Sequence, residues 1–461
     1  MKEIKQEQLK KFSKAFASYP QNKVMQNVLA KNDLTSSIRI NERKVLTLPQ
    51  YEIDIKTMPA TNQKASGRCW IFAGMNVLRE IIAKKLNLDD FELSQNYISF
   101  WDRFEKINYK LESVIELVKE DYDDRNLNCI LSEGIQDGGQ WDMLVNIINK
   151  YGIVPKMAMD ETYQSSNTRS MNYVIATSIR KFAAKAQKLA KEDKMKEIRE
   201  LKEKTLSQMY GFMCTCLGEP VEKFDFEYVD KDKKYHLEEG LTPLEFKEKF
   251  IGNMLDDYVS IINAPTFDKP FYKTFTVKYV GNVVGGRDIF YLNLPMDEFK
   301  ELCVKQLKDN EVIWFGSDCG KFNDGTYVWD DQAFDYKGAF GIDMSMDKGD
   351  MLNYHVSAMN HAMVITGISF RDGKPSKWKI ENSWGTERGD KGYYLMTDSW
   401  FDNFVFQAVV NKKYLTEKQL KALKRNGVIS KKEYDKLYEF QKQQDEINDR
   451  IIIIIYREFK H

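Results

Sequence analysis

Residues 62–74 read NQKASGRCWIFAG, and from Cys69 the chain continues as CWIFAGMNVLREIIAKK to Lys85. Ile71, Phe72, Met75, Val77, Leu78, Ile81 and Ile82 leave this second stretch almost no polar face, which predicts a helix at the centre of a core. The turn ahead of it is polar and contains Gly67. Cys69 therefore falls at a helix N-terminus, where free N–H groups favour a thiolate over a thiol. Position makes it a candidate nucleophile. Cys129, Cys214, Cys216, Cys303 and Cys319 lack such an entry and read as small buried hydrophobes.

A nucleophilic cysteine needs a base, and the chain has only four histidines, His236, His355, His361 and His461. His361 opens the apolar run NHAMVITGIS (360–369), where a strand would hold an imidazole rigidly at the mouth of a cleft. Taken alone it reads equally as a satisfied core histidine, and His355 as a loop residue. Twenty-one residues on, KIENSWG (379–385) places Asn382 at the end of another strand, followed by Trp384. The Asn382 side-chain carbonyl suits one ring nitrogen, fixing the tautomer and leaving the other nitrogen for sulfur, and Trp384 is large enough to keep water off that bond. Gln63, six residues before Cys69, offers an amide N–H that joins the Cys69 backbone N–H as an oxyanion hole.

The rest of the chain narrows the alternatives. It has 461 residues, with 69 Lys+Arg against 69 Asp+Glu, so no overall field steers nucleic acid or an anionic membrane. No apolar stretch opens the chain, and its longest aliphatic run, Ile451 to Ile455, is far too short for a membrane span. A soluble cytoplasmic protein without a membrane partner is expected. Six cysteines without C-x-x-C, and histidines without H-E-x-x-H, assign no metal site. The phosphate-binding G-x-x-x-x-G-K-[ST] and G-x-G-x-x-G and the nucleophile elbow G-x-S-x-G are also absent, so no cofactor is expected.

Helical patterns dominate the first half and strand patterns the second, which points to α+β. Residues 1–60 read as an arm with Leu9, Phe12 and Phe16 at helical spacing, packing on the body, and 61–155 as a helical half carrying the nucleophile. Residues 156–270 read as a helical insertion. Within it, 180–204 holds ten Lys/Arg against five Asp/Glu, a solvated helical excursion or, less simply, a phosphate-binding face. From 271 to 414 the runs FYKTFTVKYVGNVV, DIFYLNL, EVIWFGSD, HAMVITGIS, KWKIENSW and GYYLMT alternate as strands. The tail, 415–461, carries capping boxes at Thr416/Gln419 and Ser430/Glu433 around an Asn426-Gly427 stop. Its end, RIIIIIYREFKH, has high β-propensity and reads as buried in an interface or against the body.

Gln63, Cys69-Trp70, His361 and Asn382-Ser-Trp-Gly explain one another, and on them the chain resembles the papain-like cysteine peptidases, within them the bleomycin hydrolase and bacterial aminopeptidase C family. The papain-type signature C-G-[SA]-C-[WY], with His about 130 to 150 residues downstream, is replaced here by SGRCW and a spacing of 292 residues. Both departures are similar to that branch, as are FELSQNYISFWD, DGGQWDMLVNIINKYGIVPK, YVGNVVGGRDIFYLNLP and IENSWGTERGDKGYYLMTDSWF, over about residues 5 to 415. The resemblance implies a papain-like fold, a helical half plus an antiparallel β-barrel-like half, with large helical insertions. It also implies Cys69, His361, Asn382 and Gln63 as catalytic residues, aminopeptidase action on peptide substrates, and a homohexameric ring with active sites facing an inner chamber. The tail departs from the family's short arm, which lies in the cleft and fixes the substrate amine. An endopeptidase therefore stands as one alternative, a nucleic-acid-binding protein with secondary hydrolysis as another, and a catalytically silent homologue as a third.

Overall fold

The computed structural model describes residues 1–458, with 45, 46, 445 and 447–458 as backbone only. Its helices of nine residues or more are α1 (Gln6–Ser18), α2 (Pro20–Leu29), α3 (Cys69–Leu86), α4 (Gln95–Glu116), α5 (Arg125–Glu133), α6 (Trp141–Tyr151), α7 (Arg169–Ala190), α8 (Met195–Leu217), α9 (Met296–Lys308), α10 (Glu417–Arg425) and α11 (Lys431–Glu458). The apolar segment after Cys69 is thus helical, and thirteen of its residues are buried. It packs against α4 and α6 on one side and a large sheet on the other. Gly74 permits the approach to α6, since a Cβ there would lie 2.1 Å from a Leu144 methyl.

The strands are β1 (Ile53–Asp54), β2 (Phe224–Val229), β3 (Tyr235–Leu241), β4 (Tyr258–Ile262), β5 (Thr274–Phe275), β6 (Tyr291–Asn293), β7 (Ile313–Ser317), β8 (Val328–Trp329), β9 (His361–Arg371), β10 (Lys374–Glu381), β11 (Tyr393–Thr397) and β12 (Val405–Asn411). Ten form one sheet in the order β5-β6-β4-β12-β7-β9-β10-β11-β8, with β1 added to β9, while β2 and β3 make a separate hairpin. The α+β reading holds, but the sheet is open and closes into no barrel, and the β4/β6 and β8/β11 pairs are parallel. The β9–β10 pairing matters most for the site. Asp372 and Gly373, both at positive φ, turn the chain between them, and the register sets Glu381 opposite Val364. His361 and Asn382 therefore meet at the same end of neighbouring strands. Trp314 on β7 joins the halves by donating its indole N–H to the Trp70 carbonyl, 3.1 Å away.

Several expectations change. Strands occur well before residue 271, in the β2–β3 hairpin and in β4, whereas most of FYKTFTVKYVGNVV is loop. There the buried Asn282 donates to Asp102 and to the Met143 carbonyl, so its side chain ties the loop to α4 and α6 in place of a strand partner. At the other end of the chain α1 has no buried residue, and Leu9, Phe12 and Phe16 are exposed, so this stripe does not pack on the body. The arm is instead tied down further along, where Arg43 makes a bidentate pair with the buried Asp330. The 180–204 segment falls in α7 and α8, a pair whose apolar face packs on α4. Arg199 and Lys202 converge on Glu112.

In the tail the Thr416/Gln419 box forms, and the Glu433 N–H donates to Ser430. The backbone of Ile451–Ile455 is helical, because the run extends a helix already nucleated at Lys431 and propagation is far cheaper than a new strand. The expected burial of those side chains, and residues 459–461, lie outside the described residues.

Candidate active site

Cys69 is the first residue of α3 and Ala362 the second of β9, and the Ala362 N–H donates to Cys69 Sγ at 3.5 Å. His361 Nε2 pairs with Asn382 Oδ1 at 2.8 Å, which leaves Nδ1 for the Cys69 sulfur. Asn382 Oδ1 also accepts the Ser383 N–H at 2.8 Å, so the amide oxygen is fixed from two sides. Trp384 stacks on the imidazole with centroids 5.1 Å apart. Gln63 is held by Ser383, whose hydroxyl donates to Oε1 at 2.6 Å, and gives one of its two amide hydrogens to the Ser66 carbonyl at 2.6 Å. The second hydrogen remains for another acceptor. Cys69, His361, Gln63 and Asn382 are all buried.

Burial by itself pushes the Cys69 thiol up. The charge of His361, its hydrogen bond, and the Ala362 and Trp70 N–H groups together outweigh that and hold the thiol below its ordinary value. Burial likewise presses His361 down, but the Cys69 charge and the bonds to Cys69 and Asn382 lift it above an ordinary imidazole. Both shifts favour a thiolate–imidazolium pair. A lowered thiol pKa keeps the thiolate as pH falls, and a raised imidazole pKa keeps the proton as pH rises. The expected kcat/KM profile is a bell whose acid limb lies below the ordinary thiol range and whose alkaline limb lies above that of a free histidine. Activity that rises only as an ordinary thiol ionises would contradict the pair.

The site opens into a cleft of about 600 Å³ lined by Gln63, Cys69 and His361 together with residues 135–140. Larger clefts of about 740 and 770 Å³, around Lys348 and Phe334, contain neither Cys69 nor His361, so chemistry and not size identifies the site. Asp137 braces the wall. Its carboxylate accepts from the Gly67 N–H (2.9 Å), Arg103 (2.7 Å), Asn172 (2.9 Å) and the Thr168 hydroxyl, and its carbonyl accepts the Trp70 indole N–H at 2.7 Å. Burial raises this carboxyl, but the Arg103 charge and the hydrogen bonds hold it far below the usual range. Arg68 makes a bidentate pair with Glu161, so the loop before Cys69 is anchored on both flanks.

Gly139 lies against Trp70, where a Cβ would stand 2.6 Å from the indole ring. Gly139→Ala is expected to cost about 1–3 kcal/mol of stability by overpacking and to lower kcat/KM, because Trp70 directly follows Cys69, the candidate nucleophile. Thermal unfolding and turnover of the variant check both.

Gln63, Cys69, His361 and Asn382 are thus brought together, as the spacing suggested. His355 is exposed in the bend after the helix Lys348–Asn353, outside the lining of this cleft, and His236 pairs with Asp230 at 2.8 Å. Sequence reading missed Arg68, Asp137, Glu161, Thr168 and Asn172. DGGQW (137–141) entered that reading only as part of the family resemblance.

A profile of the Peptidase C1-like family matches residues 3–437. The chain is 44% identical over 429 residues to aminopeptidase C of Lactobacillus delbrueckii subsp. lactis, covering 91% of this chain and 94% of that protein. It is 38% identical to human bleomycin hydrolase over 424 residues, 89% and 93% of the two chains. Among solved structures it superposes on pepw from Lactobacillus rhamnosis HN001 with a TM-score of 0.90 at 44% identity, covering 92% of this chain and 95% of that one. A cysteine and a histidine paired across the seam between helical half and sheet, and relatives of this extent, place the chain in the Peptidase C1-like family.

Proposed function

We propose that this chain is a cytoplasmic cysteine aminopeptidase that releases N-terminal residues from peptides. The observation that carries the reading is the Cys69–His361 pair, with the thiol lowered, the imidazole raised and Asn382 holding the ring at 2.8 Å. The Cys69 thiolate attacks the peptide carbonyl and forms a C–S bond. The resulting oxyanion is received by the Cys69 N–H and the remaining Gln63 amide hydrogen. His361 gives its proton to the departing nitrogen as the C–N bond breaks, leaving a thioester. Neutral His361 then takes a proton from water, which adds to the thioester carbonyl. The C–S bond breaks and the pair is restored.

A homohexameric ring enclosing the active sites completes the reading. Endopeptidase action is the second reading, and the placement of the tail favours it. Leu420, Leu423 and Tyr434 are buried, Gln419 donates to Glu298, and Lys412 pairs with Glu433, so α10 and the start of α11 dock on the body without lining the cleft.

Hydrolysis of a free-amine aminoacyl-coumarin beside its N-acetyl counterpart separates the two. The full chain is compared with a truncation after Gln444, because a cut at residue 414 would strip away the buried Leu420, Leu423 and Tyr434. Cleavage of the free-amine substrate alone by the full chain is expected. Equal use of both substrates would establish the endopeptidase.

A further inference from the structure

We propose that the side-chain carbonyl of Gln140 receives the substrate's free α-amino group, an assignment that rests on the aminopeptidase reading and supplies its missing recognition element. The leaving nitrogen must pass His361, which protonates it, and Trp384 stands behind that ring. The acyl residue therefore extends the other way from Cys69, along residues 135–140, and its amine faces this wall. The wall is rigid, since the Trp70 indole holds the Asp137 carbonyl and Lys106 donates to the Gly138 carbonyl at 2.7 Å.

An ammonium entering here needs an acceptor. Asp137 is the one carboxylate on the described lining of the cleft, and it is taken by Gly67, Arg103, Thr168 and Asn172. Gln140 lines the same cleft, and its Oε1 is buried without a hydrogen-bond partner. A buried acceptor left unpaired is costly, and the terminal amide torsion is soft enough to present the oxygen to a ligand. Lys106, which lines a neighbouring cleft that Gln140 also borders, is committed to Asp102 at 2.6 Å and to the Gly138 carbonyl at 2.7 Å. A bond from an ammonium to Gln140 Oε1 is charge-assisted, the stronger kind.

The test compares alanyl-coumarin with propionyl-coumarin, which has the same acyl length and no amine, in the full-length protein and in Gln140→Leu and Gln140→Glu. The ratio of kcat/KM for the two substrates is the readout, because general damage to the site cancels in it. Gln140→Leu is expected to lower the ratio about tenfold or more, chiefly through KM for the alanyl substrate. Gln140→Glu, which keeps the volume and adds a charge, is expected to raise it. A ratio unchanged in Gln140→Glu overturns the assignment even where Gln140→Leu fails to fold. Wild-type protein that prefers the propionyl substrate would instead overturn the aminopeptidase reading, so the two failures are distinguishable.

Discussion

Cys69→Ala is expected to lower turnover by about ten-thousand-fold or more, the scale on which loss of a nucleophile removes a covalent route. The same substitution is expected to remove the single fast site of iodoacetamide labelling. The contrast arises because only one of six thiols is driven toward the thiolate. Burial pushes Cys303 well above the ordinary value, Cys319 is pushed up to about 12, and Cys129, Cys214 and Cys216 are also raised. Labelling at a pH below the ordinary thiol range, followed by peptide mass spectrometry, should find Cys69 alone in the wild type. Wild-type activity in the alanine variant, or equal labelling of several cysteines, would remove the thiolate–imidazolium mechanism.

The second large effect is expected at a residue that takes no part in bond-making. Asp137→Ala leaves Arg103 buried without a counter-charge and deprives the Gly67 N–H, Asn172 and Thr168 of their acceptor. Breaking one side of a buried pair costs about 3–5 kcal/mol, so the midpoint of denaturant unfolding should fall by a matching amount. Because Gly67 and Trp70 flank Cys69, the proposed nucleophile, kcat should fall even where the variant remains folded. Asp137→Asn, which keeps an acceptor oxygen, should recover part of the stability and more of the activity. An alanine variant with unchanged midpoint and kcat would mean that the loop holds its shape without this carboxylate.

These two residues differ in how visible they were beforehand. Cys69 announces itself because a polar turn and an apolar helical run meet at it, and with four histidines in the chain the search for a base ends quickly. Asp137 gives no such sign. Its partners come from three separate stretches of chain, Gly67, Arg103, and Thr168 with Asn172 one turn apart at the start of α7, and no local period links these stretches. The same contrast runs through the fold. The helix from Cys69 and the hairpin of β9 and β10 follow from apolar patterning over short windows. The stretch 276–284 carries strand-forming residues yet becomes loop, because Asn282 finds buried partners on α4 and α6 that outweigh propensity.

At Ile451–Ile455 β-propensity likewise yields, here to a helix entering from upstream. The exposed stripe of α1 shows a third case, since amphipathic spacing marks a face without saying what covers it. What the sequence by itself determined is the chemistry: a thiol at a helix start, an imidazole and an amide at strand ends, and a glutamine poised before them, all local consequences of residue type and period. What only the tertiary structure decided is the electrostatic bias and the framing of that chemistry. The shifts of Cys69 and His361, the grip of Asp137 and Arg68 on the nucleophile loop, and the unpaired carbonyl of Gln140 depend on distances between segments far apart in the chain, which packing sets and local patterning does not encode.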